Sequence, residues 1–170
     1  MKSEVEFDIK AVQEECLKIM DAFDGVCRKR GLRYYMACGT MLGAVRHKGF
    51  IPWDDDVDLY MPRPDYEILQ KNRKEWLPEN LNLCNQQNDI TFPHYFAKIE
   101  DLNTTFVERA YLGHYGGAWI DIFPIDGAPD NEGDIAIHKA EAVEVVVIAL
   151  LFGSEVPAVY ADRHIRRSCT

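Results

Sequence analysis

Eight residues, Asp54 to Met61, read Asp-Asp-Asp-Val-Asp-Leu-Tyr-Met and constrain the fold more than any other stretch of the chain. In an extended strand alternate residues share one face, about 6.5–7 Å apart. Asp54, Asp56 and Asp58 then project together, while Val57, Leu59 and Met61 face a core. Like charges on one face repel, and keeping them ionised beside an apolar layer is costly unless something positive sits among them. A hard divalent cation meets that need. Oxygen-only ligands point to Mg²⁺ or Mn²⁺, and the lack of neighbouring Cys or His argues against zinc. Carboxylates spaced this way can hold one or two metal ions that grip a polyphosphate and stabilise charge in an in-line displacement. The bland alternative is a solvated acidic turn. The Pro52-Trp53 opening and the direct passage into apolar alternation favour a strand edge instead.

A second acid, Asp121, lies inside Trp119-Ile120-Asp121-Ile122-Phe123-Pro124. A carboxylate flanked by large apolar residues is expensive unless paired or metal-bound. Its alternative is the wet face of an edge strand. Gly39-Thr40 follows one expected strand and opens a short helix, where glycine permits close approach, threonine can cap, and free N–H groups can meet an anion. Arg46-His47-Lys48 ends that helix. These cations either hold substrate phosphates or merely complement the helix dipole. Lys98 is a weaker candidate for the same work. His94 and His114 are read as structural. Trp53 and Trp119 are read as packing residues near the site, with a cation–π contact to a quaternary ammonium also open.

The remaining pattern predicts an α+β domain, a mixed sheet with flanking helices. Ile9, Val12, Cys16, Ile19, Phe23, Val26 and Cys27 recur at helical spacing, predicting a helix over 6–30 stopped at Gly31, with Arg28, Lys29 and Arg30 as a solvated basic end. A short buried strand is expected at 32–38, a helix at 41–46, a loop at 49–53, a strand at 57–61 ended by Pro62 and Pro64, and a helix at 65–76. Further strands are expected at 81–84, 92–100, 104–108 and 118–123, with a glycine-rich loop at 113–117. A last helix, capped by Asp130 or Asn131, runs to about 152. The domain is drawn as 1–152, with an irregular tail over 153–170.

Composition narrows the class. The chain has 170 residues, 47% apolar and 28% charged, as a soluble globular protein has. Its net charge of -9 makes non-specific nucleic-acid binding a poor fit. The five cysteines form no C-x-x-C pair and fit reduced thiols in the cytoplasm. No signal peptide is visible, and the longest apolar run, 145–152, is too short for a transmembrane segment.

The stretch Gly39-Thr40-Met41-Leu42-Gly43-Ala44-Val45-Arg46-His47-Lys48-Gly49-Phe50-Ile51-Pro52-Trp53-Asp54-Asp55-Asp56-Val57-Asp58 resembles the signature of the LicD family. So do Pro62-Arg63-Pro64-Asp65-Tyr66-Glu67, Asn103-Thr104-Thr105-Phe106 and Ile120-Asp121-Ile122-Phe123-Pro124-Ile125-Asp126-Gly127. The likeness covers about residues 10–130. It implies a nucleotidyltransferase-like fold and transfer of a phospho-alcohol, typically phosphocholine, from a CDP-linked donor to a sugar hydroxyl of a glycan acceptor such as lipopolysaccharide or teichoic acid. Fukutin-related animal members transfer ribitol phosphate. By this resemblance Gly39 and Thr40 lie near the donor phosphates, Asp54, Asp56 and Asp58 form the metal motif, and Asp121 binds metal or deprotonates the acceptor. Arg46 and Lys48 are expected to bind substrate, and Asp56, Asp58 and Asp121 to be catalytic. The expected location is the cytoplasm, with peripheral contact at the inner membrane face. Family members are usually much longer, so a truncated member is expected. NMP transfer from an NTP and a non-catalytic binding fragment are the alternatives.

Overall fold

The computed structural model describes residues 8–107, 115–127 and 130–136. The chain divides into two compact units, Met1–Ile125 and Asp126–Thr170. The first is a five-stranded sheet with three helices, an α+β fold.

Helix α1 spans Ile9–Arg30. The Asp8 carboxylate accepts from the Lys10 and Ala11 N–H groups, and Gly31 ends the helix at φ 69°, a backbone state that glycine adopts without a Cβ penalty. Of the expected basic end, Arg28 pairs with Asp24 at 2.6 Å. Arg30 stacks on the Trp76 ring, 4.5 Å from its centroid.

Strand β1 is only Tyr35–Met36, and both residues are largely exposed. The expected buried strand over 32–38 is thus a short edge strand. Helix α2, Cys38–His47, begins earlier than expected, so Gly39 and Thr40 belong to its first turn. Ala37 is the residue at its N-cap, and Thr40 does other work, described below. Strand β2 is Asp58–Pro62 and helix α3 is Arg63–Trp76. Pro64 therefore starts a helix instead of ending a strand, because the first turn needs no N–H from it. Strands β3, Leu81–Cys84, and β4, Ala97–Asp101, form an antiparallel pair. The 104–108 segment forms no strand through its described residues; Phe106 makes a single bridge to Gly116. Strand β5, Trp119–Ile125, runs through Pro124. Asp121 N–H bonds Val57 O on the β2 side, so alternate position 124 turns its missing N–H toward β4, whose pairing with β5 has already ended at Ala97–Ile122.

The sheet order is β1-β2-β5-β4-β3. β2 and β5 are parallel, and every other neighbour pair is antiparallel. Register assigns the two faces. Leu59, Met61, Ile120, Ile122, Ala97, Ile99 and Leu83 share one face and are all buried. Cys16, Ile19 and Phe23 of α1 and Tyr66 and Leu69 of α3 complete a single core on that side. Burying each such aliphatic or aromatic side chain contributes about 1.5–3 kcal/mol before entropy is counted. The opposite face carries Asp58, Asp121, Lys98 and Glu100.

In the second unit, residues 132–136 form a helical turn. Asn131 Oδ1 accepts from the Asp134 N–H at 2.9 Å, as the expected cap requires. The rest of the expected helix and the 153–170 tail lie outside the described residues.

Candidate metal centre

Asp58 and Asp121 stand opposite each other in the parallel β2–β5 pair. Paired residues of parallel strands project to the same side, so the register alone brings the two carboxylates together. Asp56 precedes Asp58 by two residues and returns to the same side, while Val57 between them is buried. Carboxylate oxygens of Asp56, Asp58 and Asp121 all lie within 4.8 Å of one another. Asp54, Asp55 and Asp56 form a second such group. Asp56 and Asp58 share a side as the alternation read from sequence requires, but Asp54, Asp55 and Asp56 all lie ahead of β2 in a loop.

The loop is held from several directions. Gln13 of α1 donates to Asp54 O at 2.8 Å and to Ile51 O at 3.3 Å. The Cys16 thiol reaches Trp119 O at 3.3 Å and Asp55 O at 3.7 Å. Thr40 Oγ1 accepts the Asp58 N–H at 2.8 Å, and Asp58 O accepts the Ala37 N–H at 2.9 Å. The nearby Cys38 thiol and Gly39 N–H oppose the upward shift that burial imposes on the Asp58 carboxyl. A Cβ on Gly39 would stand 2.6 Å from Asp54 Oδ2, which explains why the smallest residue occupies this turn. Gly39 and Thr40 thus contact the acidic residues themselves.

Electrostatics follow from this crowding. Burial, followed by Asp58 and Asp54, pushes the Asp56 carboxyl up to about 6. Burial raises Asp121 to about 7, with Lys98 opposing the shift. Asp58 is raised by burial and by Asp54, and Asp54 by burial and by Asp55. Lys98 is the cross-strand partner of Asp121 and is almost fully buried. Its Nζ lies 3.2 Å from Asp121 Oδ1 and 3.9 Å from the centre of the Trp119 ring. The ammonium supplies charge, yet Asp121 Oδ1 and Asp54 Oδ2 remain buried without a hydrogen bond. An all-oxygen set in which Asp54 Oδ2 is buried without a hydrogen-bond partner and the carboxyl pKa values are raised suits a hard divalent cation.

Arg46 and Lys48 are exposed at the opposite end of α2, roughly 12 Å of helix rise from Gly39. The structure does not gather them with the acids. His94 contacts the Phe92 and Phe96 rings, in keeping with a structural role, whereas His114 lies outside the described residues. Trp119 is buried under Phe106 and Lys98, but Trp53 is 77% exposed and is no packing residue. Lys98 was legible as more than a phosphate ligand: like Asp121, it is one charge between apolar neighbours in a strand, and the two signs are complementary.

The chain matches the family model described as LicD/FKTN/FKRP, nucleotidyltransferase domain, over residues 31–145. It is 36% identical over 124 residues to the lipopolysaccharide cholinephosphotransferase LicD of Haemophilus influenzae, covering 72% of this chain and 46% of that protein. It is also 54% identical over 35 residues to human and mouse ribitol 5-phosphate transferase FKRP, 21% of this chain and 7% of theirs. The chain spans a little under half the length of the Haemophilus protein. With the motif, the sheet and the acid cluster in agreement, the chain belongs to the LicD family.

Proposed function

We propose that this domain is a metal-dependent phosphotransferase that moves a phospho-alcohol, phosphocholine foremost, from a CDP-linked donor to a sugar hydroxyl of a cell-surface glycan such as lipopolysaccharide or teichoic acid. The observation that carries this reading is the convergence of Asp56, Asp58 and Asp121 within 4.8 Å. The similarity to a cholinephosphotransferase supports the choice of cargo.

Asp56, Asp58 and Asp121, with Asp54 beside them, would hold Mg²⁺ or Mn²⁺. The ion's contribution when bound is charge neutralisation on the diphosphate. The protein's own part is positioning. Thr40 fixes Asp58, Gln13 fixes the loop, and Lys98 places positive charge next to Asp121. The acceptor hydroxyl oxygen bonds to the phosphorus that bears the alcohol. The bond from that phosphorus to the bridging oxygen breaks, and CMP leaves with the electron pair. Asp121, beside the acids that would hold the ion, is the candidate to take the hydroxyl proton. Arg46 and Lys48 remain candidates for donor or acceptor charge farther from the acids. Among the described residues no helix is long and apolar enough to cross a membrane. We place the reaction on the cytoplasmic side, where CDP-alcohols are supplied, with peripheral contact to the membrane that carries the acceptor.

The test is a mass-spectrometric screen of CDP-choline, CDP-ribitol and CDP-glycerol for metal-dependent CMP release with a glycan acceptor. CMP from CDP-choline, lost in the Asp56→Ala/Asp58→Ala variant, is expected. Pyrophosphate release from an NTP instead would replace this reading with NMP transfer.

A further inference from the structure

One pleat beyond the acids, the same sheet face turns aromatic. Two residues after Asp58 comes Tyr60, two after Asp121 comes Phe123, and two before Lys98 comes Phe96. Because β2 and β5 are parallel and β4 is antiparallel, all three rings fall on the same side of the charged row. They touch in sequence: Tyr60 to Phe123 with centroids 6.1 Å apart, and Phe123 to Phe96 at 4.4 Å. Tyr60 is 38% exposed, and Phe123 and Phe96 are half-buried, so the row retains an open side.

We propose that Tyr60, Phe123 and Phe96 form a subsite for the quaternary ammonium end of the donor's alcohol. This rests on the CDP-alcohol reading above and adds the feature that selects the alcohol.

Three observations favour a cation here. The first is ring geometry. Planes meet at 72° between Tyr60 and Phe123 and at 41° between Phe123 and Phe96. Inclined rings offer a rounded group faces at more than one angle, whereas a flat nucleobase needs a flat platform. Inclined aromatic faces are the usual recognition element for methylated ammonium groups. The second is charge. Asp56, Asp58 and Asp121 lie one pleat away, and their excess of negative charge favours a cation over the ring faces. Among the described residues, Lys98 is held by Asp121 at 3.2 Å and by Trp119 and also lies over the Phe96 ring at 5.8 Å, while His94 packs on Phe96 at 5.0 Å, so a second cation would meet chiefly Tyr60 and Phe123. The third is reach. Two residues of strand cover about 6.5–7 Å, comparable with the short two-carbon spacer between the phosphate and nitrogen of phosphocholine. A phosphate at the acids therefore delivers its ammonium to the rings. A polyol in the same place would press hydroxyls against ring faces that offer them no strong acceptor, which disfavours ribitol or glycerol.

The experiment is calorimetric titration of the full chain, in Mn²⁺, with CDP-choline, CDP-glycerol and CDP, alongside tetramethylammonium alone. The proteins are the wild type, Phe123→Leu and Tyr60→Leu. Tyr60→Leu changes a partly exposed side chain and keeps the test valid if Phe123→Leu folds poorly, which circular dichroism reports. The wild type should prefer CDP-choline to CDP-glycerol. Each variant should lose ~3- to 30-fold in CDP-choline affinity, the range of a cation–π contact, with CDP unchanged. Equal losses for CDP and CDP-choline would show base stacking and overturn the proposal, as would unchanged CDP-choline binding. If no CDP compound binds but tetramethylammonium binds in an aromatic-dependent way, the subsite stands and the CDP-donor reading falls. If tetramethylammonium does not bind and CDP-choline is not preferred, the subsite falls whatever becomes of the donor reading.

Discussion

Asp58 and Asp121, separated by more than sixty positions in the chain, are direct neighbours across the parallel β2–β5 pair. Strand register imposes this proximity, and burial, ahead of neighbouring charges, raises both carboxyl pKa values. Lys98, next across the sheet, offsets part of it.

The first prediction concerns that ion pair. Asp121→Ala takes from the buried Lys98 ammonium the carboxylate oxygen 3.2 Å away. Breaking a buried pair in this way costs about 3 kcal/mol, so urea denaturation should show a lowered midpoint with little change in slope. Lys98→Met, which removes the cation and keeps the packing on Trp119, should cost less metal-free stability at pH 5, where Asp121 is protonated, than at pH 8. Equal costs at both values would contradict the pairing.

A second prediction follows from the sign of the carboxyl shifts. Asp56 near 6 and Asp121 near 7 are protonated in the fold at pH 5, whereas the unfolded chain ionises them near 4. The folded state therefore binds more protons, and metal-free stability declines as pH rises from about 4 to about 7. Divalent cation should reverse the trend. Melting temperature should rise more with Mn²⁺ at pH 8 than at pH 5. A metal increment independent of pH would mean that these carboxyls are not the ligands.

How much of this was legible in the sequence depends on which force decides each position. Periodicity announced α1 and the buried alternation of Leu59 and Met61, because burial sets them directly. The candidate acids stood out in the sequence on other grounds: Asp54, Asp56 and Asp58 by their spacing, and Asp121 as a charge between apolar residues. Pairing was not legible. The 104–108 segment carries strand-like residues, yet β4 pairs with β3 and β5, a choice made by long-range contacts. Thr40 was read as a helix cap, but its hydroxyl accepts from Asp58, 18 residues away, a contact that local reasoning cannot see. Trp53 was read as a packing residue near the site and is in fact exposed at a turn.

That tertiary bond gives a third prediction. Thr40→Val keeps shape and removes the acceptor of the Asp58 N–H. The loss should be on the order of 1–2 kcal/mol in thermal unfolding, with Thr40→Ser restoring most of it. If valine matches threonine, the hydroxyl does not hold Asp58.

Gly39 yields a fourth. Alanine there should improve intrinsic helix propensity by up to ~1 kcal/mol, yet its Cβ would stand 2.6 Å from Asp54 Oδ2. The flexible carboxylate gives way more easily than the helix. Gly39→Ala should therefore leave melting temperature nearly unchanged while weakening Mn²⁺ binding several-fold. Loss of fold with metal binding intact would reverse this assignment.

The central claim is that Asp56, Asp58 and Asp121 together hold a divalent cation, and Mn²⁺ titration followed by electron paramagnetic resonance tests it most directly. The wild type should bind Mn²⁺ at pH 8. Asp58→Asn and Asp121→Asn, which keep shape and remove charge, should each weaken binding at least about tenfold, a loss of roughly 1.4 kcal/mol. Wild-type affinity in both variants would contradict the account.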